Sequence, residues 1–198
     1  MSNRRIVLPG VIIGVLLLAL AIVFAVVLPK AHGDSGDVSL PDTLPGGYTA
    51  TDLVEAYKHA PNATDTQVQQ ASAAARTARS YGDKALKDSG VTAATRTYID
   101  KKLSTPLFVQ VFKASGGAFS PFEFSDPASA QSNQQVQRLV RKGDVVCIEN
   151  GSADGQGGVQ ASYVQCQKSE GNTTVQVTSP LELAKAVALV DDVFNEVA

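Results

Sequence analysis

Histidine, cysteine and any surplus of positive charge are what this chain of 198 residues has least of. There are two histidines, His32 and His59. His32 falls in a Gly- and Asp-rich stretch, which leaves His59 as the one imidazole on a segment expected to fold. It would have to serve as base for any serine or cysteine nucleophile, and no GxSxG elbow accompanies it. The bland reading of His59, a surface residue near the C-terminal end of a helix, is the preferred one. The two cysteines, Cys147 and Cys166, fall short of the roughly four ligands of a structural zinc site. Their spacing is not the CxxC of a catalytic redox pair. Neither lies near the N-terminus, so lipidation of a cysteine behind a signal segment is excluded. No glycine-rich phosphate loop follows a strand signal, and no internal repeat is visible. No cofactor and no metal are expected.

What the chain does have is a long apolar run. Ile6 to Leu28, IVLPGVIIGVLLLALAIVFAVVL, holds not one charged side chain. About 20 apolar residues cross the hydrocarbon core of a bilayer as a helix. A helix is the required form, because lipid offers the backbone no partners. A cleaved signal peptide has a shorter apolar region and a small-x-small cleavage site. Ala31-His32-Gly33 is a poor site of that kind, so a retained signal-anchor is expected. Arg4 and Arg5 precede the run and Lys30 alone follows it closely, which places the N-terminus in the cytoplasm and the rest outside. Gly10 and Gly14 form a GxxxG pair that lets two membrane helices approach closely. Removing Arg4 and Arg5 from the 17 basic residues leaves 15 against 19 acidic ones, a net charge near −4 outside the membrane. That balance argues against nucleic acid or an anionic surface as the main partner.

The expected organisation is a short cytoplasmic tail over 1–5, a membrane helix over 6–28, a flexible linker over 29–47 and an extracytoplasmic domain over 48–198. The linker, rich in Gly, Pro, Ser and Asp, has no apolar period. Within it LPDT resembles the opening of a sortase motif, but Leu44 stands where that motif needs glycine.

Three helices are expected in the first half of the domain. Asp52 and Glu55 have capping-box spacing at the start of TDLVEAYKHA, and Thr64 and Gln67 repeat it ahead of an Ala-rich helix. That second helix carries Val68, Ala71, Ala75 and Ala78 on one face, a solvated face of Arg76, Arg79 and Lys87, and Gly90 as its C-terminal cap. VTAATRTYIDKKL reads as a third. After Pro106 the character changes. PLFVQVFK is aromatic and β-branched, a strand signal. PFEF alternates, with Phe122 and Phe124 on one side. VQRLVRKG is ambiguous, and GDVVCIEN, QASYVQCQK and NTTVQVTS read as strands. The closing helix is expected to start with a Ser179–Glu182 capping box around Pro180, with Leu183, Val187, Val190, Phe194 and Val197 as its apolar stripe. The fold class is therefore α+β: a mainly antiparallel sheet with the N-terminal helices and the C-terminal helix packed on one face.

The strands allow a test of the cysteines. A hairpin turn centred between Gln156 and Gly157 sets Cys147 directly opposite Cys166. A second turn at Glu170-Gly171 sets Cys166 opposite Val175 and Val164 opposite Val177. Because side chains alternate, Val145, Cys147, Val164, Cys166, Val175 and Val177 then share an apolar face. Tyr163, Gln165, Gln167, Thr174 and Gln176 share a polar one. A buried disulfide is the expectation, in keeping with an oxidising compartment.

Other fragments carry little chemistry. Asn150-x-Ser152-x-Asp154-Gly155 mimics the start of an EF-hand loop, but Ala161 stands where the bidentate glutamate belongs. Asn62, Asn150 and Asn172 begin glycosylation sequons, which matter only in a eukaryotic secretory pathway. Glu123, Asp126 and Glu149 are the candidate acids of a hydrolase, with no pairing legible in their spacing. The first expectation for function is thus a non-enzymatic, membrane-tethered domain that binds or supports another envelope protein. The alternatives are an envelope hydrolase using carboxylates or His59, and a thiol-redox accessory protein.

Overall fold

In the computed structural model the described residues are 38–197, apart from 118, 123 and 124. The apolar run over 6–28, with Gly10 and Gly14, lies outside them, as do the tail over 1–5 and Glu123. Among the described residues no helix is long and apolar enough to cross a membrane.

Eight strands form one antiparallel sheet. They are β1 (Thr43–Leu44), β2 (Tyr48–Ala50), β3 (Ala93–Ile99), β4 (Pro106–Phe112), β5 (Gln135–Lys142), β6 (Val145–Ala153), β7 (Val159–Glu170) and β8 (Thr173–Ser179). Their order across the sheet is β1-β2-β3-β4-β8-β7-β6-β5. Among the described residues two α-helices accompany them, α1 (Asp65–Asp88) and α2 (Leu183–Val197). The class is α+β with a mainly antiparallel sheet, but the helices do not share a face. Ala186, Leu189, Val190, Val193 and Phe194 of α2 are buried with Val109, Val111, Val175, Val177, Val164 and Cys166. The alternate residues of β3 and β4, namely Thr95, Thr97, Phe108 and Gln110, face α1 instead.

Several local expectations are corrected. TDLVEAYKHA makes only a 3-10 turn over Val54–Tyr57. Its N-cap is Leu53, with no side-chain bond, because the Asp52 carboxylate is drawn to arginines. VTAATRTYIDKKL is strand β3, not a helix. Its alternation was hidden by Arg96, a charged residue at a core position between Ala94 and Tyr98, both buried. The span expected to be linker contains β1 and the buried Leu40 and Leu44, so residues 38–47 belong to the fold. Phe122 is fully exposed and lies in no strand; Phe124 is outside the described residues. Ser179 ends β8 rather than capping α2: its hydroxyl accepts from the Leu181 N–H at 3.4 Å. The buried stripe of α2 is rotated from the expected one, centring on Leu189, Val190 and Val193 while Leu183, Val187 and Val197 lie at its margin.

Other features follow the sequence closely. The Thr64–Gln67 capping box is complete. At the other end of α1, the Val91 N–H bonds the Leu86 carbonyl at 2.9 Å and the Gly90 N–H bonds that of Lys87 at 3.0 Å. This is a Schellman motif, and Gly90 supplies its positive φ of 78°. Cys147 pairs with Cys166 in the sheet register and is joined to it, with Cα atoms 4.0 Å apart. Close opposition of this kind marks the non-hydrogen-bonded pairs of an antiparallel ladder. The next hairpin turns one residue later than expected, at Gly171-Asn172, which moves the partner register by two, so Cys166 opposes Val177 and Lys168 opposes Val175. A shift of two preserves the faces, and all six residues assigned to the apolar face are buried.

Candidate functional site

Two features of the sheet's N-terminal half make a site. The first is a cluster of charges at β3. Because β2 pairs with β3 only through Tyr98 and Ile99, the following segment peels away beside Thr97 and brings Asp52 to Arg96. Arg96 is 4 % exposed. Its Nε donates to Asp52 Oδ1 at 2.8 Å, and its Nη2 to Asp52 Oδ2 at 3.1 Å and Asp42 Oδ1 at 2.8 Å. Its Nη1 donates to the carbonyls of Leu40 and Pro41. All five donors of the guanidinium are thereby used. Burial opposes ionisation of Asp52, but hydrogen bonds from Arg96 and Arg79 outweigh it and hold the carboxyl below its usual range. Burial likewise opposes the charge on Arg96, and the bonds from Asp52 and Asp42 more than offset it. Tyr98, which donates to the Pro41 carbonyl at 2.8 Å, is pushed well above its ordinary value by burial.

The second feature is the seat of α1. Its partly buried positions, Val68, Ala71, Ala75, Arg79, Gly82, Asp83 and Leu86, form one stripe at helical spacing. Only Ser72 is fully buried. The stripe is made of small residues, and it does not fill the space over β3 and β4. Asp83 Oδ1 accepts from the Thr95 N–H at 2.8 Å and from its hydroxyl at 3.0 Å. Beside it, a Cβ on Gly82 would lie 3.0 Å from the Thr95 hydroxyl oxygen, so glycine permits this close approach. The face expected to be solvated turns inward in part: Arg76 donates to the Asp52 carbonyl at 2.7 Å and Arg79 to Asp52 Oδ2 at 2.9 Å. Lys87 is exposed.

Between helix and sheet lies a cavity of about 320 Å³. Ala75, Ala78, Ala85 and Leu86 roof it, Thr97, Phe108 and Gln110 floor it, and Asp52, Arg79 and Arg96 close one end. Its volume is at the lower end of the range for small-molecule sites, about 300–1,000 Å³. An apolar wall with a few convergent polar groups is the usual composition of such sites. No family model, curated protein or solved structure matches this chain significantly. The site's own chemistry is therefore the guide.

The candidates drawn from the sequence do not assemble around this cavity. His59 is exposed in the turn after the 3-10 segment. Asp126 caps a turn, accepting from the Ala128 N–H at 3.0 Å. Glu149 is buried and held by Arg138, whose Nε donates to it at 2.7 Å. The loop resembling an EF-hand is a hairpin: Asp154 Oδ1 accepts from the N–H groups of Gln156 at 2.7 Å and Gly158 at 2.8 Å. Those bonds hold its carboxyl below the ordinary range. Among the described residues no group of three or more His, Cys, Asp or Glu is placed to hold a metal. Asn150 is buried and accepts from Gln137 at 2.6 Å, so its sequon is closed in the folded domain. Sequence reasoning passed over Arg96, Thr97, Phe108 and Gln110. A lone arginine flanked by alternating residues in AATRTYI was the available signal.

Proposed function

We propose that this chain is a membrane-tethered, extracytoplasmic domain that binds a ligand rather than transforming it. The cavity between α1 and β3–β4 carries the reading, because it joins an apolar wall to a rigidly built charged end. The disulfide points to an oxidising compartment. The uncharged run from Ile6 to Leu28 supplies the tether to the plasma membrane, with the N-terminus cytoplasmic and Gly10 and Gly14 available for helix packing. A ligand-responsive domain on a tether suits an accessory role beside another envelope protein.

Two measurements test this. An impermeant maleimide should label Cys147 and Cys166 in intact cells only after denaturation and reduction; labelling without reductant, and only after lysis, overturns the topology. A fragment library screened by ligand-observed NMR against the full chain in lipid nanodiscs should yield hits that Ala78→Trp displaces. A library with no such hit overturns the binding reading.

A further inference from the structure

We infer that the cavity takes a small monocarboxylate, its carboxylate against Arg79 and its aliphatic or aromatic body along Ala78, Ala85, Leu86 and Phe108. The inference rests on the binding reading above and specifies its ligand.

Arg79 is singled out by counting donors. Arg96 has spent all five, two of them on backbone carbonyls, and is fixed in place. Arg79 spends one, on Asp52 Oδ2, and has Asp83 beside its Nε at 3.7 Å, beyond hydrogen-bond reach. Its side chain is 29 % exposed and lines the cavity. Among the described residues its remaining N–H groups make no further hydrogen bond, although Asp83 is an ion-pair neighbour. An arginine fork with spare donors matches the planar pair of oxygens of a carboxylate. Asp52 cannot receive a cationic ligand instead. Both of its oxygens are engaged by arginine, Oδ1 once and Oδ2 twice. Asp42 and Asp83 balance the charge of the cluster from outside the lining, so the preference for an anion is carried by the spare donors of Arg79 and not by a surplus of charge.

The floor supplies the second part of the recognition. Thr97 and Phe108 are a cross-strand pair, as are Thr95 and Gln110. The Gln110 amide and the Thr97 hydroxyl have no hydrogen-bond partner among the described residues. They lie on the same floor as Phe108, which is 40 % exposed. An aromatic or short aliphatic body covers Phe108 and the alanines, while a polar substituent can meet Gln110. The volume admits one such molecule and not a long acyl chain.

The test uses three probes with one body: 3-phenylpropionate, 3-phenylpropanol and 3-phenylpropylammonium. Each is titrated by NMR into the full chain in lipid nanodiscs, reading the resonances of Thr97, Phe108 and Gln110 so that partition into lipid does not count. The acid should bind at least about tenfold more tightly than the alcohol, the worth of one charge-assisted hydrogen bond, and the ammonium more weakly still. Arg79→Gln should abolish that preference. Arg79→Lys keeps a charge beside Asp52 but loses the fork, and should weaken the acid selectively; it serves if Arg79→Gln proves unstable. Equal affinity for acid and alcohol, or acid binding untouched by both substitutions, overturns the carboxylate assignment. Binding of none of the three also overturns it. In that case library fragments displaced by Ala78→Trp still sustain the wider binding reading, and their absence removes both.

Discussion

Replacing Asp52 with asparagine removes one negative charge and leaves almost every contact atom in place. In the native domain that carboxylate is about nine-tenths buried and faces Arg96, itself 4 % exposed. Breaking a buried pair by removing one partner costs about 3–5 kcal/mol, because the other charge stays behind uncompensated. Two features put this case at the low end. Arg96 keeps its bonds to the Leu40 and Pro41 carbonyls. It also keeps Asp42, although that carboxylate is 72 % exposed and well screened. The expected loss for Asp52→Asn is therefore about 3 kcal/mol, a fall in Tm of roughly 6–12 °C for a domain of this size. Asp42→Asn, by contrast, should cost less than about 1 kcal/mol. Urea unfolding followed by circular dichroism measures both. The double variant Asp52→Leu/Arg96→Met should recover most of the loss, since a packed apolar pair is often as stable as a buried ion pair. A loss below about 1 kcal/mol for Asp52→Asn, or equal losses at Asp52 and Asp42, would refute the reasoning.

The same carboxylate sets a pH dependence. Its folded value lies below the unfolded one, so its contribution is whole above about pH 4 and fades as pH falls through the lower folded value. Wild type should lose stability in that acid window faster than Asp52→Asn; parallel curves would contradict this. Removing the disulfide by Cys147→Ala/Cys166→Ala should cost about 3 kcal/mol in denaturant, and since both cysteines are fully buried the native bond should resist mild reductant. Rapid reduction without unfolding would count against that burial. Gly151 sits at the β6–β7 bulge, where a Cβ would collide with the Gln160 carbonyl oxygen and lie 2.7 Å from Ala161 Cα. Gly151→Ala should destabilise by about 2 kcal/mol, and a neutral result by thermal melting would refute the tight register there.

What could be read from the sequence depended on whether one physical rule acted alone. In β7 and β8 alternation is clear, and in β6 it survives the apolar Val146 and the buried Ile148 on the other face, so Cys147, Val164, Cys166 and Val177 fall on the right face and the cysteines in the right register. The second turn was displaced by one residue and the pairing register therefore by two, an error invisible to the pattern because the period is also two. In β3 a buried arginine breaks the alternation, and Ala, Thr and Lys around it permit a helix. Near Asp52 the capping signal was genuine in composition, but the carboxylate served a partner 44 residues away. The cavity was illegible for a related reason. It is made by what α1 does not fill, and small residues on a helix read as close packing until the distance to the sheet is known.

The strand order also bears on how the chain reaches its native state. β1–β4 and β5–β8 are two up-and-down sets whose partners lie close in sequence, except that α1 intervenes between β2 and β3, and the sheet is whole only through the β4–β8 ladder. Val109 and Val177, paired there, are about 70 residues apart in sequence. Closing a loop of that length carries an entropy cost that local hairpins do not. The disulfide lies wholly in the second set, and α2 packs chiefly on β6, β7 and β8 while also sharing a core with Val109 and Val111 of β4, so the second half can oxidise and collapse before it meets the first. The seam between β4 and β8 is then the last zip to close, and a chain cut in the long connection after β4 should reassemble from its two pieces.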